Sequence, residues 1–253
     1  MIQANLATYP ARRSNLLAVV QAIASQVDVL NVVLNEYSDA LAELSEFANV
    51  NQIIPEHDTK DAGKFYPSSS GADYVFLIDD DLIYPSDFVE LSIARFEALG
   101  LDRVAAGYHC SIYYRPKFSL WPRKFREWYK FGEERIADFR KKDTYYSEVR
   151  FPRIVDQIAT NSALLRGPDM PSYEFMADSQ KFVDVRLARW LYMKNIECVS
   201  LPKDEKWLRG VHFDETIYRS FTQQNQSHVS AEIMTFAFQN ARVGTVLRTG
   251  AEE

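Results

Sequence analysis

Residues 1–100 alternate short runs rich in apolar residues with segments whose apolar residues recur at helical spacing. We predict strands over residues 2–7, 27–34, 51–54 and 74–78, because each run has the length of a strand and polar residues follow it. The run at 27–34 is valine-rich and nearly continuous. Such a run is typical of a strand that is buried on both faces of a parallel sheet.

Helices are predicted between these strands. Apolar residues recur at helical spacing over 14–24. A second helix is predicted over about 87–99, where Pro85-Ser86 would cap its start and Gly100 would end it. Strands that alternate with helices imply right-handed crossovers. We therefore expect an α/β fold with a mostly parallel central sheet flanked by helices, and ligands at the carboxyl ends of the strands.

The chain after residue 100 is less regular. Aromatic and basic side chains are mixed over 113–131, and a charged stretch continues to Arg150. Residues 153–159 resemble a strand, and a helix is predicted over about 181–194. A length of 253 residues fits one large domain, and no repeat or glycine-rich linker in the sequence divides it.

Composition and charge exclude several classes of protein. With 47% hydrophobic and 25% charged residues, the chain is typical of a globular protein. A net charge of −6 gives no overall attraction to nucleic acid. Cys110 and Cys198 lie far apart without the spacing of metal ligands, which fits a reducing compartment. We find neither a signal peptide nor a transmembrane run, and so expect a cytoplasmic protein.

Three consecutive carboxylates, Asp79, Asp80 and Asp81, follow the predicted strand at 74–78 directly. They would repel one another unless a cation lies among them, and hard oxygen ligands suit Mg²⁺ or Mn²⁺. Because side chains alternate along an extended chain, Asp79 and Asp81 should share one side while Asp80 faces away or reaches a ribose. The alternative is a solvated acidic turn or a helix-capping cluster.

The segment from Tyr74 to Pro85 resembles the metal-binding D-x-D segment of family 2 glycosyltransferases, which have the GT-A fold. Its Asp-Asp-Asp-Leu-Ile-Tyr-Pro form is similar to that of bacterial enzymes that build capsule or lipopolysaccharide glycans. The resemblance implies an inverting, metal-dependent enzyme that moves a sugar from a nucleotide diphosphate sugar, expected to be a UDP-sugar, to a glycan or lipid-linked acceptor. It also implies a nucleotide-sugar-binding half (1–100) and an acceptor-binding half (101–253).

Two further segments resemble the donor site of that family. Thr8-Tyr9-Pro10-Ala11-Arg12 matches the first loop, which cups the base, so Thr8, Tyr9 and Arg12 are candidate nucleotide contacts. In Asp61-Ala62-Gly63-Lys64, the resemblance implies that Asp61 reads uracil and Lys64 approaches the phosphates. Gly63 would let the backbone approach a ligand closely. Without the resemblance, residues 58–64 fit a polar surface loop equally well.

The resemblance extends to acceptor residues. Thr160 and Asn161 lie where the family has a threonine-glycine loop, with Asn161 replacing the glycine; the alternative is an ordinary turn. Asp184 heads an amphipathic segment and is the candidate general base, with Asp178 as the alternative. Asp184 could instead form a surface ion pair with Arg186 or Arg189. Among the histidines, His212 is the best candidate for a further metal or diphosphate ligand.

Residues 113–131 carry aromatic side chains at helix-like intervals, interleaved with basic ones. Such a stretch can lie in a membrane interface, here the inner face of the cell membrane, or meet an anionic lipid-linked acceptor. Alternatively, the aromatic side chains cover the core while the basic ones are solvated.

Two other functions stay open. One is a nucleotidyltransferase that activates a sugar phosphate, which would normally show a glycine- and arginine-rich loop near the N-terminus, where Ala7-Thr8-Tyr9-Pro10 stands. The other is a non-catalytic carbohydrate-binding module of the same fold.

Overall fold

An eight-stranded, mostly parallel sheet forms the centre of the protein. The structure is a computed structural model and describes residues 1–211 and 227–248. In their order across the sheet, the strands are β3 (Val50–Ile53), β2 (Val29–Leu34), β1 (Ile2–Thr8), β4 (Tyr74–Ile78), β11 (Ser162–Leu165), β6 (Val104–Gly107), β12 (Glu197–Ser200) and β9 (Arg153–Val155). Within this sheet, β11 and β9 run antiparallel to their neighbours.

Two small antiparallel sheets and several helices complete the described part of the chain. The first small sheet has the order β10 (Gln157–Ile158), β7 (Cys110–Tyr113) and β8 (Arg140–Asp143), and the second pairs β13 (Arg209–Gly210) with β5 (Leu82–Ile83). The helices are α1 (Arg13–Ala24), α2 (Phe88–Glu97), α3 (Pro122–Lys130), α4 (Tyr173–Met176), α5 (Val183–Met193) and α6 (Ser227–Met234). None of them has the length and apolar composition needed to cross a bilayer.

The sheet has hydrophobic layers on both faces. Along β4, Phe76 and Ile78 join a cluster that includes α1 and α2, whereas Val75 and Leu77 join a second cluster that includes α5. This follows from the alternation of side chains along a strand. Full burial of a large apolar side chain contributes about 1.5–3 kcal/mol, so both layers stabilise the sheet. The expected mixed α/β architecture, with a mostly parallel sheet flanked by helices, is confirmed.

The structure corrects several local predictions. The predicted strand at 153–159 is two strands, β9 and β10, which belong to different sheets. The chain changes sheets at Asp156, whose carboxylate accepts a hydrogen bond from the backbone amide of Tyr113 at 2.8 Å. The predicted cap of α2 is wrong: the N-cap is Asp87, without a side-chain cap. Gly100 has the positive φ of 61° expected of a glycine that ends a helix.

Candidate active site

The candidate site lies where the order of strands reverses. From β1 the chain moves outward to β2 and β3, and then returns to place β4 on the opposite side of β1. Ligands of open α/β sheets bind at the carboxyl ends of strands that flank such a switch point. Thr8 ends β1, and its hydroxyl donates to Oδ2 of Asp80 at 2.6 Å. In α1, the side-chain amide of Asn15 donates to the backbone carbonyl of Asp80 at 2.5 Å.

The three aspartates alternate in exposure as expected. The side chains of Asp79 and Asp81 are 33% and 32% exposed, whereas Asp80 is 8% exposed. Each carboxylate has a protein partner: Asp79 pairs with Lys64, Asp80 accepts from Thr8, and Asp81 lies 3.4 Å from Nη1 of Arg12. This arrangement is inconsistent with a freely solvated acidic turn. None of the three acts as the side-chain cap of a helix, since α2 begins at Phe88 without one.

Burial and mutual repulsion make Asp80 and Asp81 hard to ionise. Burial raises the pKa of Asp80 to about 6. It raises the pKa of Asp81 to about 7, and the charges of Asp79 and Asp80 add to the shift. Arg12 and Lys64 oppose it without cancelling it. A further cation at this place would favour the ionised cluster.

The cluster fits a metal that is shared with a substrate. Within residues 1–211 and 227–248, no three His, Cys, Asp or Glu side chains converge closely enough to hold a metal ion by themselves. Magnesium, however, usually binds one or two carboxylates and completes its coordination with phosphates and water. Asp79 and Asp81, which are partly open on one side, suit that shared form.

Lys64 is buried at the centre of the site. Its side chain is 2% exposed; the ammonium contacts Asp79 and lies 3.2 Å from the carbonyl and 3.3 Å from Oγ1 of Thr160. It belongs to a 3-10 helix, Lys60–Phe65. The interpretation of residues 58–64 as a polar surface loop is therefore wrong.

Two asparagines hold this 3-10 segment against the sheet. Asn35, just after β2, accepts from the backbone amide of Thr59 at 2.8 Å, and Asn5 in β1 donates to the carbonyl of Lys64 at 2.9 Å. Gly63 is needed for packing within the protein, because a Cβ there would lie 2.5 Å from Oγ1 of Thr59. Packing of the 3-10 segment is therefore one reason for a glycine here, and the close approach of the backbone to a ligand stays a prediction.

Thr160 and Asp184 come together on the other side of Lys64. The backbone amide and the hydroxyl of Thr160 both donate to Oδ1 of Asp184. Asp184 lies in the first turn of α5, and burial raises its pKa. The alternative of an ion pair between Asp184 and Arg186 or Arg189 is wrong, since both arginines lie against Glu232.

The alternative base, Asp178, lies on the surface. Its side chain is 78% exposed and pairs with Arg186. It therefore lacks the partly desolvated setting that raises the pKa of Asp184.

Asp61 and Asn161 have partners within the protein. Asp61 accepts from the backbone amide of Lys181 at 2.8 Å, and burial raises its pKa to about 6. The amide of Asn161 lies 3.2 Å from Nδ1 of His109. Asn161 does not have a positive φ, so it replaces the glycine of the resemblance without a left-handed backbone.

Tyr84 links the aspartate cluster to the segment of Thr160 and Asn161, a contact that the sequence analysis missed. Its buried hydroxyl accepts from the backbone amide of Asp79 at 2.9 Å and donates to the carbonyl of Asn161 at 2.7 Å. Nothing in the local sequence indicates this bridge, because Asn161 lies 77 residues after Tyr84 in the chain.

Three further residues bear on nucleotide binding, namely Tyr9, Tyr37 and His212. Tyr9 is 38% exposed beside Arg12. The hydroxyl of Tyr37 is buried and has no hydrogen-bond partner among the described residues. Burial raises the pKa of Tyr37, and the charge of Asp80 adds to the shift. His212 lies outside the described residues, although the preceding Val211 donates its amide to the carbonyl of Asp81 at 2.7 Å.

No protein-family model and no curated protein matches this sequence. The chain is similar to crystal structures of S. aureus TarS. TarS 1–349 has a TM-score of 0.49 at 11% identity, over 92% of this chain and 70% of that one. Another TarS structure has a TM-score of 0.44 at 11% identity, over 86% and 38% of the two chains. TarS 1–349 in complex with UDP-GlcNAc has a TM-score of 0.44 at 11% identity, over 87% and 60%. At these scores the likeness says nothing about what this chain binds.

Proposed function

We propose that this protein is an inverting, metal-dependent glycosyltransferase. It takes a sugar from a nucleotide diphosphate sugar, with uridine diphosphate as the expected carrier, and transfers it to a hydroxyl of a glycan or lipid-linked acceptor, as in the synthesis of bacterial surface polysaccharides. One observation carries the proposal: Asp79, Lys64, Thr160 and Asp184 form an unbroken series of contacts at the carboxyl end of the sheet. The series joins a carboxylate cluster suited to a metal diphosphate to a separate half-buried carboxylate, Asp184, that is suited to act as a base.

The donor side carries the charge of the diphosphate. Asp79 and Asp81 would hold Mg²⁺ or Mn²⁺, which neutralises the leaving diphosphate when it is bound. Arg12 and Lys64 supply further positive charge beside the same carboxylates. The exposed ring of Tyr9 and the unpartnered hydroxyl of Tyr37 are the groups that we assign to the nucleoside.

The acceptor side supplies the base. Asp184 accepts the proton of the acceptor hydroxyl while that oxygen forms a bond to the anomeric carbon and the bond from that carbon to the diphosphate oxygen breaks. The nucleotide diphosphate leaves with the electron pair, so no covalent intermediate with the enzyme is required and the configuration inverts. Both Thr160 donors bind Oδ1 of Asp184, and we therefore assign the incoming proton to Oδ2. A pKa raised by burial makes the carboxylate a stronger base.

A thermal-shift screen of nucleoside diphosphates and their sugars, with and without Mn²⁺, tests the donor site. We expect uridine diphosphate with Mn²⁺ to raise the melting temperature, and the UDP-sugar to be hydrolysed slowly. Release of pyrophosphate from a nucleoside triphosphate and a sugar phosphate would instead indicate a nucleotidyltransferase. A carbohydrate that binds without any turnover of nucleotide sugar would indicate a non-catalytic module.

A further inference from the structure

Residues 113–131, here called the aromatic arm, leave the body of the protein between two anchored ends. At the first end, Tyr113 is buried, and its hydroxyl donates to Oε1 of Gln157 at 2.5 Å. At the second end, the ring of Phe131 packs against Phe139 with 5.1 Å between centroids. Between these anchors lies α3, in which no residue is buried. The aromatic side chains between the two anchors, Phe118, Trp121, Phe125 and Trp128, are exposed, so the alternative that they cover the core is wrong.

The aromatic side chains of α3 share one face. At about 100° per residue, Phe125, Trp128 and Tyr129 fall within an arc of about 100°, and Trp121 directly precedes the helix as its N-cap. Phe118, from the preceding loop, packs on the same face, 5.0 Å from the ring of Trp128. This face is open: Trp121 and Tyr129 are each 76% exposed, and the adjacent Leu120 is 85% exposed. Such a contiguous exposed apolar patch usually marks an interaction site.

The aromatic arm is also strongly basic. The arm has six basic residues and one acidic residue, Glu127, which give a net charge of +5. The whole chain carries −6, so the remaining residues carry −11. The basic residues are Arg115, Lys117, Arg123, Lys124, Arg126 and Lys130. Positive charge is thus concentrated beside the exposed aromatic face of an otherwise acidic protein.

We propose that the aromatic arm binds the surface of a lipid bilayer that contains anionic headgroups. Tryptophan and tyrosine favour the boundary between headgroups and acyl chains, and basic residues on the flanks of an interfacial helix contact anionic lipid. Each basic residue near such a surface strengthens binding about fivefold. A second copy of this chain is a poorer occupant for the same face, because two arms that meet face to face bring like charges together.

The arm also starts close to the candidate active site. Tyr113 ends β7, which pairs with β10, and β10 leads within two residues to Thr160. Thr160 in turn donates its backbone amide to Asp184 at 2.8 Å. Binding of the arm would thus hold this side of the protein near the lipid surface. The binding itself does not depend on the proposed reaction.

Co-sedimentation of the full chain with phosphatidylcholine vesicles, with and without phosphatidylglycerol, tests the inference. We expect the protein to sediment with the anionic vesicles and to be released by added salt, because salt screens charges at a surface. The double substitutions W121S/Y129S and K124Q/R126Q should each reduce the bound fraction at least tenfold. All four side chains are exposed, so the fold should be retained, as judged by circular dichroism.

Matched control variants show whether a loss of binding is specific to the aromatic arm or follows from the removal of any exposed aromatic or basic side chain. Y146S/F151S removes two exposed aromatic side chains elsewhere, and R150Q/K206Q removes two exposed positive charges elsewhere; both should bind like the unchanged chain. Absence of binding to anionic vesicles, equal binding to both vesicle types, or equal loss in the control variants would overturn the inference. So would a dimer in solution that dissociates in W121S/Y129S, since the face would then belong to a second copy.

Discussion

Thr160 donates its backbone amide and its hydroxyl to the same oxygen, Oδ1 of Asp184, at 2.8 and 2.9 Å. On its other side, the Oγ1 of Thr160 lies 3.3 Å from the ammonium of Lys64. The orientation of the Asp184 carboxylate is therefore fixed by a residue that also contacts Lys64. We interpret Thr160 as a positioning residue for the proposed base.

Asp184→Asn should lower kcat by about 10²–10⁴-fold, the usual contribution of a general base. An asparagine retains an oxygen that accepts both hydrogen bonds from Thr160, but it cannot accept a proton. The affinities for donor and metal should therefore change little. Steady-state kinetics and calorimetry on the same preparation measure both effects.

Asp178→Asn is the control for that substitution, because Asp178 is exposed and paired with Arg186. Its kcat should stay near that of the unchanged protein. If Asp178→Asn abolishes turnover while Asp184→Asn leaves it intact, the base is Asp178 and the assignment of Asp184 fails.

Asp81→Ala should abolish transfer and remove the dependence of nucleotide diphosphate binding on Mn²⁺. The fold should survive, since burial and the charges of Asp79 and Asp80 already disfavour the ionised Asp81. Calorimetric titrations with and without Mn²⁺ measure the effect. Asp102→Ala, at an exposed position, is the control. Undiminished turnover in purified Asp81→Ala would refute the metal assignment.

Uridine diphosphate should bind more tightly than guanosine or cytidine diphosphate, and Asp61→Asn should remove most of that preference. An asparagine at this position keeps the oxygen that accepts from Lys181, so the local backbone should be retained. Calorimetry with the three nucleotides decides the matter. If the unchanged protein binds all three nucleotides with equal affinity, this part of the site recognises phosphate and not uracil.

Tyr37→Phe should weaken nucleotide binding without lowering stability. The hydroxyl is buried and unpartnered among the described residues, so its removal takes away no internal hydrogen bond. A hydrogen bond of about 0.5–1.5 kcal/mol to the nucleotide corresponds to a loss of about 2–13-fold in affinity. Denaturant unfolding and calorimetry measure the two quantities. Tyr146→Phe, at an exposed tyrosine, is the control. If Tyr37→Phe binds the nucleotide as tightly as the unchanged protein does, the Tyr37 hydroxyl does not contact the nucleotide.

His109 should make stability depend on pH. Desolvation, with Lys142 and Arg140 nearby, lowers its pKa to about 4, below the ordinary 6.5. Between these two pKa values the unfolded chain takes up a proton that the folded protein does not. The contribution of His109 to the free energy of unfolding is therefore complete above pH 6.5 and is lost as the pH falls towards 4.

His109→Gln should remove this component while keeping an acceptor for Asn161. Buried carboxylates titrate in the same range, and the difference between the two proteins isolates the histidine. Urea unfolding at a series of pH values measures that difference. Parallel stability curves for the two proteins would show that His109 does not titrate as described.

The position of the aspartate cluster was predictable because its signals are local. A short apolar strand that runs into Asp79, Asp80 and Asp81 can be recognised within one segment, and the alternation of those side chains follows from extended backbone geometry. The same holds for the strands β1 and β2, whose apolar runs match their burial.

The rest of the site depends on contacts between distant parts of the chain. Lys64 looks like a surface residue in sequence, and its burial results from Asn5, Asn35 and Thr160, which belong to other segments. The exposed face of α3 has the same apolar spacing as a core helix, and only tertiary structure distinguishes the two.

The place of β11 in the sheet bears on how the chain folds. One edge of β4 pairs with β1, and the other pairs with β11, which comes 84 residues after the end of β4. Until residues 162–165 have been synthesised, β4 is an edge strand with apolar side chains on both faces, the kind of edge that invites aggregation. Residues 1–100 alone would therefore leave one edge of β4 unpaired. The pairing of β4 with β11 is a long-range contact that forms late. Such pairings slow folding, because the chain between the two strands must form a closed loop before the contacts stabilise it.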